Sequence, residues 1–203
     1  MVESTLLDVL APINGGLPDL QVLTPDDWRI LRSARLAALH DSPHAFTSSY
    51  ARESAWRDLK WQRSLKTSIW VVARDGQDVI GLAKSVKARW RPASRYVESV
   101  WVAPTHRRRG VLGALLYKLA ETCRPMGVTE LLLWVLMDNH AAYDAYRALR
   151  FVPIGKPHRL RAIGRFEQQF RLRMSAETPS AGPARRVVLL VRSRARLGTS
   201  PGL

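Results

Sequence analysis

The chain is short of cysteine, of acidic residues and of long apolar runs. Its single cysteine, Cys123, excludes an intrachain disulfide. It stands among Leu119, Ala120 and Met126 in a helical pattern and reads as a buried small hydrophobe, not a catalytic thiol. No apolar run is long enough to span a bilayer. Met1-Val2-Glu3-Ser4 carries no positive n-region, so no secretory signal is read and a cytoplasmic setting is expected. A G-x-G-x-x-G spacing is absent, which excludes the dinucleotide fingerprint, and no Gly-Lys-Ser/Thr supports a P-loop. His40, His44, His140 and His158 form no zinc-type pattern on one helix beside a carboxylate, so no metal is expected.

What is present is basic charge. Lys and Arg number 32 against 17 Asp and Glu, a net charge of +15 with a pI near 11.1. That balance attracts polyanions: nucleic acid, an anionic membrane, or a phosphate-rich cofactor. Hydrophobic residues at 46% and seven Trp support a packed core in one ordinary domain.

The order of elements predicts an α/β domain. Pro12, Gly15, Gly16 and Pro18 mark residues 1–19 as a flexible leader. Leu20–Leu23 reads as a short strand. Thr24-Pro25-Asp26-Asp27 opens a helix that runs to about His40, with Leu31, Ala34, Arg35, Ala38 and Leu39 at helical spacing. A second helix is expected from Arg52 to Leu65, with Trp56, Leu59, Lys60 and Arg63 in register. Ile69–Arg74 and Val79–Trp90 form a hairpin about a turn at 75–78. Arg95–Val102 is a strand whose alternation places Val97, Ser99 and Trp101 on one face and Tyr96, Glu98, Val100 and Val102 on the other. A helix from Gly110 to Arg124, a buried strand at Leu131–Leu136, a helix at Asn139–Arg150 and a last strand at Phe166–Met174 complete residues 20–174. From Ser175 to 203 the chain reads as a basic, flexible tail, in which Val187–Val191 could form a strand or an interfacial segment.

The stretch Val102 to Gly113 carries the chemistry. A strand ends, a basic turn follows and a helix begins. Unpaired N–H groups and the helix dipole favour an anion there. Glycine permits close approach, and Arg107, Arg108 and Arg109 add forked donors. A phosphate or pyrophosphate site follows.

These residues also carry a resemblance. Val102-x-Pro104, Arg107-x-x-Gly110 and the apolar helix after them resemble the acetyl-CoA motif of the GNAT (GCN5-related N-acetyltransferase) superfamily, bacterial type. Leu112 stands where that pattern has a small residue, and Gly113 follows one position late. Downstream, Leu133-Trp134-Val135 with Asn139, Ala142, Tyr146, Leu149 and Phe151 resembles a second family signature, with Arg150 in place of its glycine. Arg suits left-handed dihedrals less well, which predicts a differently shaped helix end. Leu23–Asp27, Arg35-Leu36, Ala38-Leu39, Pro43-x-Ala45-Phe46, Phe151-x-Pro153-x-Gly155, Glu167 and Leu172 extend the resemblance over residues 20–174.

The resemblance implies a mixed, mostly antiparallel sheet with flanking helices and a splayed parallel strand pair. It implies acetyl-CoA as co-substrate and transfer of its acetyl group directly to an amine, on a small molecule or a protein. Val100 and Val102 would pair with the pantetheine arm. Arg107, Arg108, Arg109, Gly110, Val111 and Gly113 would hold the pyrophosphate. Asn139 would contact the coenzyme or cap its helix. Tyr146 would protonate the leaving thiolate, and Glu98 would serve as base or else pair with a cation. His106 reads as a surface residue. The basic surface argues against a highly cationic acceptor. A homodimer fits the reading; a specific nucleic-acid partner and a membrane span do not. Two alternatives stay open: a coenzyme-binding sensor with degenerate catalysis, kept alive by Leu112 and Arg150, and a basic nucleic-acid-binding module.

Overall fold

The computed structural model describes residues 18–161 and 163–174. Most of the expected leader and all of the basic tail, with Val187–Val191, lie outside the described residues.

Short β1 (Asp19–Val22) is followed by Thr24, whose N–H and hydroxyl both donate to Asp27 Oδ2 at 2.7 Å. This local closure sets a one-turn 3₁₀ segment at Pro25–Asp27, where proline's fixed φ suits the first position. Helix α1 (Trp28–Asp41) continues from it and buries Leu31, Ala34, Arg35, Ala38 and Leu39, the face its spacing predicts.

The expected second helix is two helices. Short α2 (Tyr50–Ser54) is capped by Ser49, which accepts from the Arg52 N–H, and α3 (Asp58–Thr67) begins after an extended Arg57. The buried face of α3 is Trp61 and Leu65, while Leu59 is 75% exposed. The break lets Glu53 turn inward to Arg35 and changes the helical phase, so the register read through Leu59 and Arg63 does not hold.

Strands β2 (Ile69–Asp75), β3 (Asp78–Lys87), β4 (Ser94–Val102), β5 (Glu130–Leu136), β6 (Val152–Leu160) and β7 (Arg165–Arg173) join β1 in a seven-stranded sheet of order β1-β2-β3-β4-β5-β7-β6. Every pairing is antiparallel except β4 with β5. The β4–β5 crossover runs through α4 (Val111–Cys123), and α5 (His140–Ala148) links β5 to β6. Strand β6 is absent from the expected elements. Its Pro153, Gly155 and Pro157 read as breakers, but β6 is an edge strand, where a missing N–H costs no ladder bond.

One core cluster packs α4, Tyr146 and Phe151 on one face of the sheet. The other packs Leu31, Ala34, Ala38, Trp61 and Leu65 against Trp70, Val72, Leu82 and Trp101 on the opposite face. Leu115, Leu116 and Leu119 of α4 are fully buried, each contributing roughly 2 kcal/mol by apolar burial. Gly81 of β3 lets α4 come this close: a Cβ there would meet Leu115 Cδ1 at 3.0 Å and Val111 Cγ1 at 3.1 Å. Cys123 is buried, with its thiol pKa pushed up by burial, as expected of an inert residue.

The alternation expected along β4 fails at Ser99. There φ is +54°, and the register to β3 shifts between Leu82↔Trp101 and Lys84↔Glu98. This is a bulge, with an extra residue on β4. Val97 therefore shares the α4 face with Val100 and Val102, while Trp101 faces α1. Glu98, paired across to Lys84 on the Leu82 and Trp70 side, shares the α1 face with Trp101, not the face of Val100.

Candidate active site

The parallel strands β4 and β5 pair only at Ser94↔Glu130, Arg95↔Leu131 and Tyr96↔Leu132. The closed end is clamped: Ser94 Oγ donates to Glu130 Oε1 at 2.6 Å, and Thr129 N–H to the Ala93 carbonyl at 2.8 Å. Where the pairing stops, Gln169 of β7 donates to the Tyr96 hydroxyl at 3.0 Å. Beyond that point the strands part around a cleft of about 370 Å³ that opens through the sheet. Val97 to Val100 and Leu133 to Leu136 form its sides; Tyr146 and Asn139 line it, as do Arg35 and Phe46. Beyond Tyr96 the β4 edge that faces β5 has no strand partner, and an extended ligand could add there as a strand.

Tyr146 is held by the end of α5. Arg150 adopts φ +61° and donates its N–H to the Arg147 carbonyl, while the Phe151 N–H reaches the Tyr146 carbonyl, both at 3.0 Å. Those two bonds make a Schellman ending, with the Tyr146 and Phe151 rings in edge contact at 5.5 Å. The helix end thus keeps the glycine-type shape despite arginine, contrary to the expectation from sequence. Arg accepts a strain of about 1 kcal/mol because the two bonds and the ring contact fix the turn. Tyr146 is buried, and burial pushes its pKa well up. Among the described residues its hydroxyl has no hydrogen-bond partner, which leaves the proton available to a ligand.

The basic turn lies at the start of α4. Arg108 has φ +61° and Gly110 φ +82°. The first helical bond is from Ala114 N–H to the Gly110 carbonyl, so the amides of Val111, Leu112 and Gly113 precede it and lack intrahelical acceptors. Arg108 and Arg109 are exposed and make no ion pair among the described residues. Arg107 differs. Its guanidinium donates to the Val102 carbonyl, the Asp41 carboxylate and Ser42 Oγ, tying the turn to the end of α1. Burial opposes ionisation of Asp41, but hydrogen bonds from Ser42, Trp101 and Arg107 hold its carboxyl below the usual range. His106 bonds Thr105 Oγ1 at 2.9 Å and faces Asp75 at 3.4 Å, so it serves the turn's shape. Leu112 lies half-buried against the core beside α4's apolar face.

Asn139 caps α5, its Oδ1 accepting from the Ala142 N–H at 3.2 Å. Glu98 is exposed and pairs with Lys84 at 3.2 Å, on the cleft's α1 side. Three features went unread in the sequence as parts of a site. Arg35 and Glu53 form a buried bidentate pair, both bonds 2.9 Å, with Arg35 stacked on Phe46 at 4.6 Å. An arginine on an apolar helix face signals such a partner, but nothing marks Glu53. Glu167 of β7 also lines the cleft. Arg165 donates to both oxygens of Asp138 and to the His44 carbonyl, strapping β7 to the loop after α1. Among the described residues no group of three or more His, Cys, Asp or Glu could hold a metal. None of the described helices is long and apolar enough to cross a membrane.

Three features suit a coenzyme: a left-handed glycine before α4, first-turn amides without intrahelical acceptors, and a strand pair that parts at the end of β4. Comparison with known proteins gives the class. The family model for the acetyltransferase (GNAT) family matches residues 35–151, and the chain belongs to that family. Acetyl-CoA is the family's co-substrate. The chain is 30% identical over 122 residues to an L-2,4-diaminobutyric acid acetyltransferase of Nocardia farcinica, covering 60% of this chain and 56% of that protein. It is 35% identical over 60 residues to a thialysine N-epsilon-acetyltransferase of Bos taurus, covering 30% of this chain and 35% of that one. The chain thus spans little more than half, or less, of these relatives' lengths. In fold it is similar to a GNAT-family acetyltransferase of Streptococcus pneumoniae, with TM-score 0.64, 15% identity, and 77% of this chain and 99% of that one covered. It is also similar to the yncA protein of Salmonella typhimurium solved with its cofactor acetyl-CoA, with TM-score 0.59, 17% identity, and coverage of 82% and 100%.

Proposed function

We propose that the protein is an N-acetyltransferase that moves an acetyl group from acetyl-CoA directly to a primary amine. The observation that carries this is the parting of β4 and β5 after Tyr96↔Leu132, with the unpartnered Tyr146 hydroxyl lining the gap. The two curated relatives named above are acetyltransferases of amine-bearing amino acids, which agrees with an amine acceptor.

The main-chain amides from Arg108 to Gly113, with the Arg108 and Arg109 guanidinium groups, hold the diphosphate. Arg107 acts by fixing the turn against α1. Val100 and Val102 offer main-chain groups to the pantetheine arm. Acetyl-CoA supplies an activated thioester; the chain's part is to orient it and manage protons. Glu98 takes the proton of the acceptor ammonium. The neutral amine attacks the thioester carbonyl carbon, the carbon–sulfur bond breaks, Tyr146 gives its hydroxyl proton to the leaving thiolate, and the second proton that the nitrogen sheds as it becomes an amide passes through solvent to restore the Tyr146 hydroxyl. Burial raises its pKa from an ordinary value already well above neutral, so the hydroxyl carries its proton at neutral pH. Asn139 holds the start of α5 and so the height of Tyr146 in the cleft.

The test is thiol release from acetyl-CoA over a panel of primary amines, with Tyr146→Phe beside wild type. The expected result is turnover on at least one amine and a kcat about 100-fold lower in the variant, with acetyl-CoA affinity retained. Coenzyme binding without turnover on any amine, or an unchanged rate in Tyr146→Phe, contradicts the reading.

A further inference from the structure

The chain is strongly cationic, but the cleft is not. Arg35, Glu98 and Glu167 are the charged side chains lining it among the described residues. Arg35 is neutralised by its bidentate contact with Glu53, both residues being almost wholly buried. The other two lining charges are the carboxylates of Glu98 and Glu167; Glu98 is offset in turn by Lys84 at 3.2 Å, while Glu167 has a histidine, His158, as its ion-pair neighbour. Arg165, on the same strand as Glu167, is engaged with Asp138.

Both carboxylates lie on the same face of the sheet. Glu98 faces α1 because the β4 bulge follows it, as shown above. In β7, Phe170 and Leu172 face the α4 side, so Glu167, Gln169 and Arg171 face the other way. Glu167 pairs in register with Leu136 and with His158. A second bulge, in β6 between Ile154 and His158, sets His158 there; Gln168 donates to the Ile154 carbonyl at 2.7 Å beside the bulge. His158 Nδ1 lies 3.4 Å from Glu167 Oε1, and the histidine is largely exposed. Glu167 lines the cleft and keeps only 17% of its side chain exposed. Next to it on the same face is Trp134, which lines the cleft, is 41% exposed and touches the His158 ring edge at 6.2 Å. A part-exposed indole beside a mostly sheltered carboxylate is a pair that recognises a cation. The proposed reaction uses neither residue.

We infer that Glu167 and Trp134 hold a second, non-reacting cationic group of the acceptor, which makes the preferred acceptor a diamine or diamino compound. This rests on the acetyltransferase reading and deepens it. Glu98 serves the amine that reacts, and Glu167 anchors the one that does not. The anchor limits how the chain of methylenes enters and brings the free end to the thioester. The local sign of the cleft thus overrides the repulsion expected from the overall charge, because charges beyond a Debye length are screened while those in the cleft are not.

The experiment compares n-alkylamines with α,ω-diaminoalkanes of the same length, in thiol release with saturating acetyl-CoA. Wild type, Glu167→Gln, Glu167→Asp and Trp134→Leu are measured, with acetyl-CoA affinity by calorimetry as the control for folding. Wild type should favour the diamine at least 10-fold in kcat/KM. Glu167→Gln should collapse that ratio toward one, mainly by raising KM for the diamine, and Glu167→Asp should recover part of it. Equal use of monoamine and diamine by wild type, or a ratio unchanged in Glu167→Gln, overturns the inference. A separate calorimetric titration of the diamine into coenzyme-loaded protein decides the matter without turnover. Binding that Glu167→Gln abolishes supports the anchor even if no acetyl group moves, in which case only the catalytic reading fails. No diamine binding to wild type overturns the anchor.

Discussion

The proposed coenzyme site and the proposed acceptor site are built in opposite ways. The first is a contiguous stretch, Val102 to Gly113, offering main-chain amides and guanidinium groups beside the cleft. The second is drawn from α1, the loop after it, β4, β5 and β7, and carries the Glu167 carboxylate. A local anion site needs only a turn and a helix start, which neighbouring residues specify. A cation site inside a basic protein needs side chains drawn from distant parts of the sequence and a buried ion pair to silence Arg35. The first reads from a motif; the second exists only once the sheet has formed.

The contrast can be broken at its most expensive point. Glu53→Gln leaves the Arg35 guanidinium buried without its counter-charge, and should destabilise the fold by about 3–5 kcal/mol in urea melts. A loss under about 1 kcal/mol would show that the acceptor wall does not depend on that pair. Gly81→Ala tests the coenzyme side's support. An added Cβ would press on the Trp101 carbonyl and on Leu115 and Val111 of α4, and should cost about 1–3 kcal/mol while weakening acetyl-CoA binding through the displaced turn. Unchanged stability and affinity would mean that the close approach at Gly81 does not set the turn.

Arg108→Ala combined with Arg109→Ala should raise the acetyl-CoA Kd about 10-fold and flatten its dependence on salt, leaving the melting curve in place. The exposed position keeps the effect modest. Equal salt dependence in variant and wild type would remove these two residues from the site. Arg150→Gly relieves a left-handed arginine and should stabilise by about 1 kcal/mol. A destabilised variant would mean that the arginine side chain contributes more than its strain costs.

The smallest effect concerns pH. The Asp41 pKa is lower in the folded protein than its ordinary value of 3.8. Its ionised form therefore contributes stability that is complete above that ordinary value and is lost as pH falls through the lower, folded one. Asp41→Asn should be less stable than wild type at neutral pH, and the difference should shrink in acid below about pH 4. A gap that stays constant down to the lowest pH would contradict this role.

Most of the elements were legible because apolar periodicity and turn chemistry act locally. The α1 face, the hairpin turn at Gly76, and the α4 and α5 helices follow from spacing alone. Strand β6 was hidden by Pro153 and Pro157, since a sequence does not state which strand will lie at an edge. The β4 bulge was hidden because serine gives no sign of a positive φ, and its phase change moved Glu98 to the face opposite the one read. The expected helix through Trp56 missed a break that serves a contact between Glu53 and Arg35, 18 positions apart. In the site, the Arg107–Gly113 turn and the Asn139–Tyr146 spacing were visible as motifs. Glu167 entered the reading only through the resemblance, with no role, because its neighbours in the cleft come from β4, β5 and α1.

In the proposed reading the unpaired amides at the start of α4 and the parted edge of β4 grip one coenzyme molecule. Backbone amide chemical-shift changes on titrating coenzyme A into labelled protein measure this directly. The largest shifts should fall on Arg108 to Gly113 and on Val97 to Val102, with little change in β1 and β2. Saturable binding that leaves both segments unmoved, or shifts centred on the outer face of α1, would contradict it.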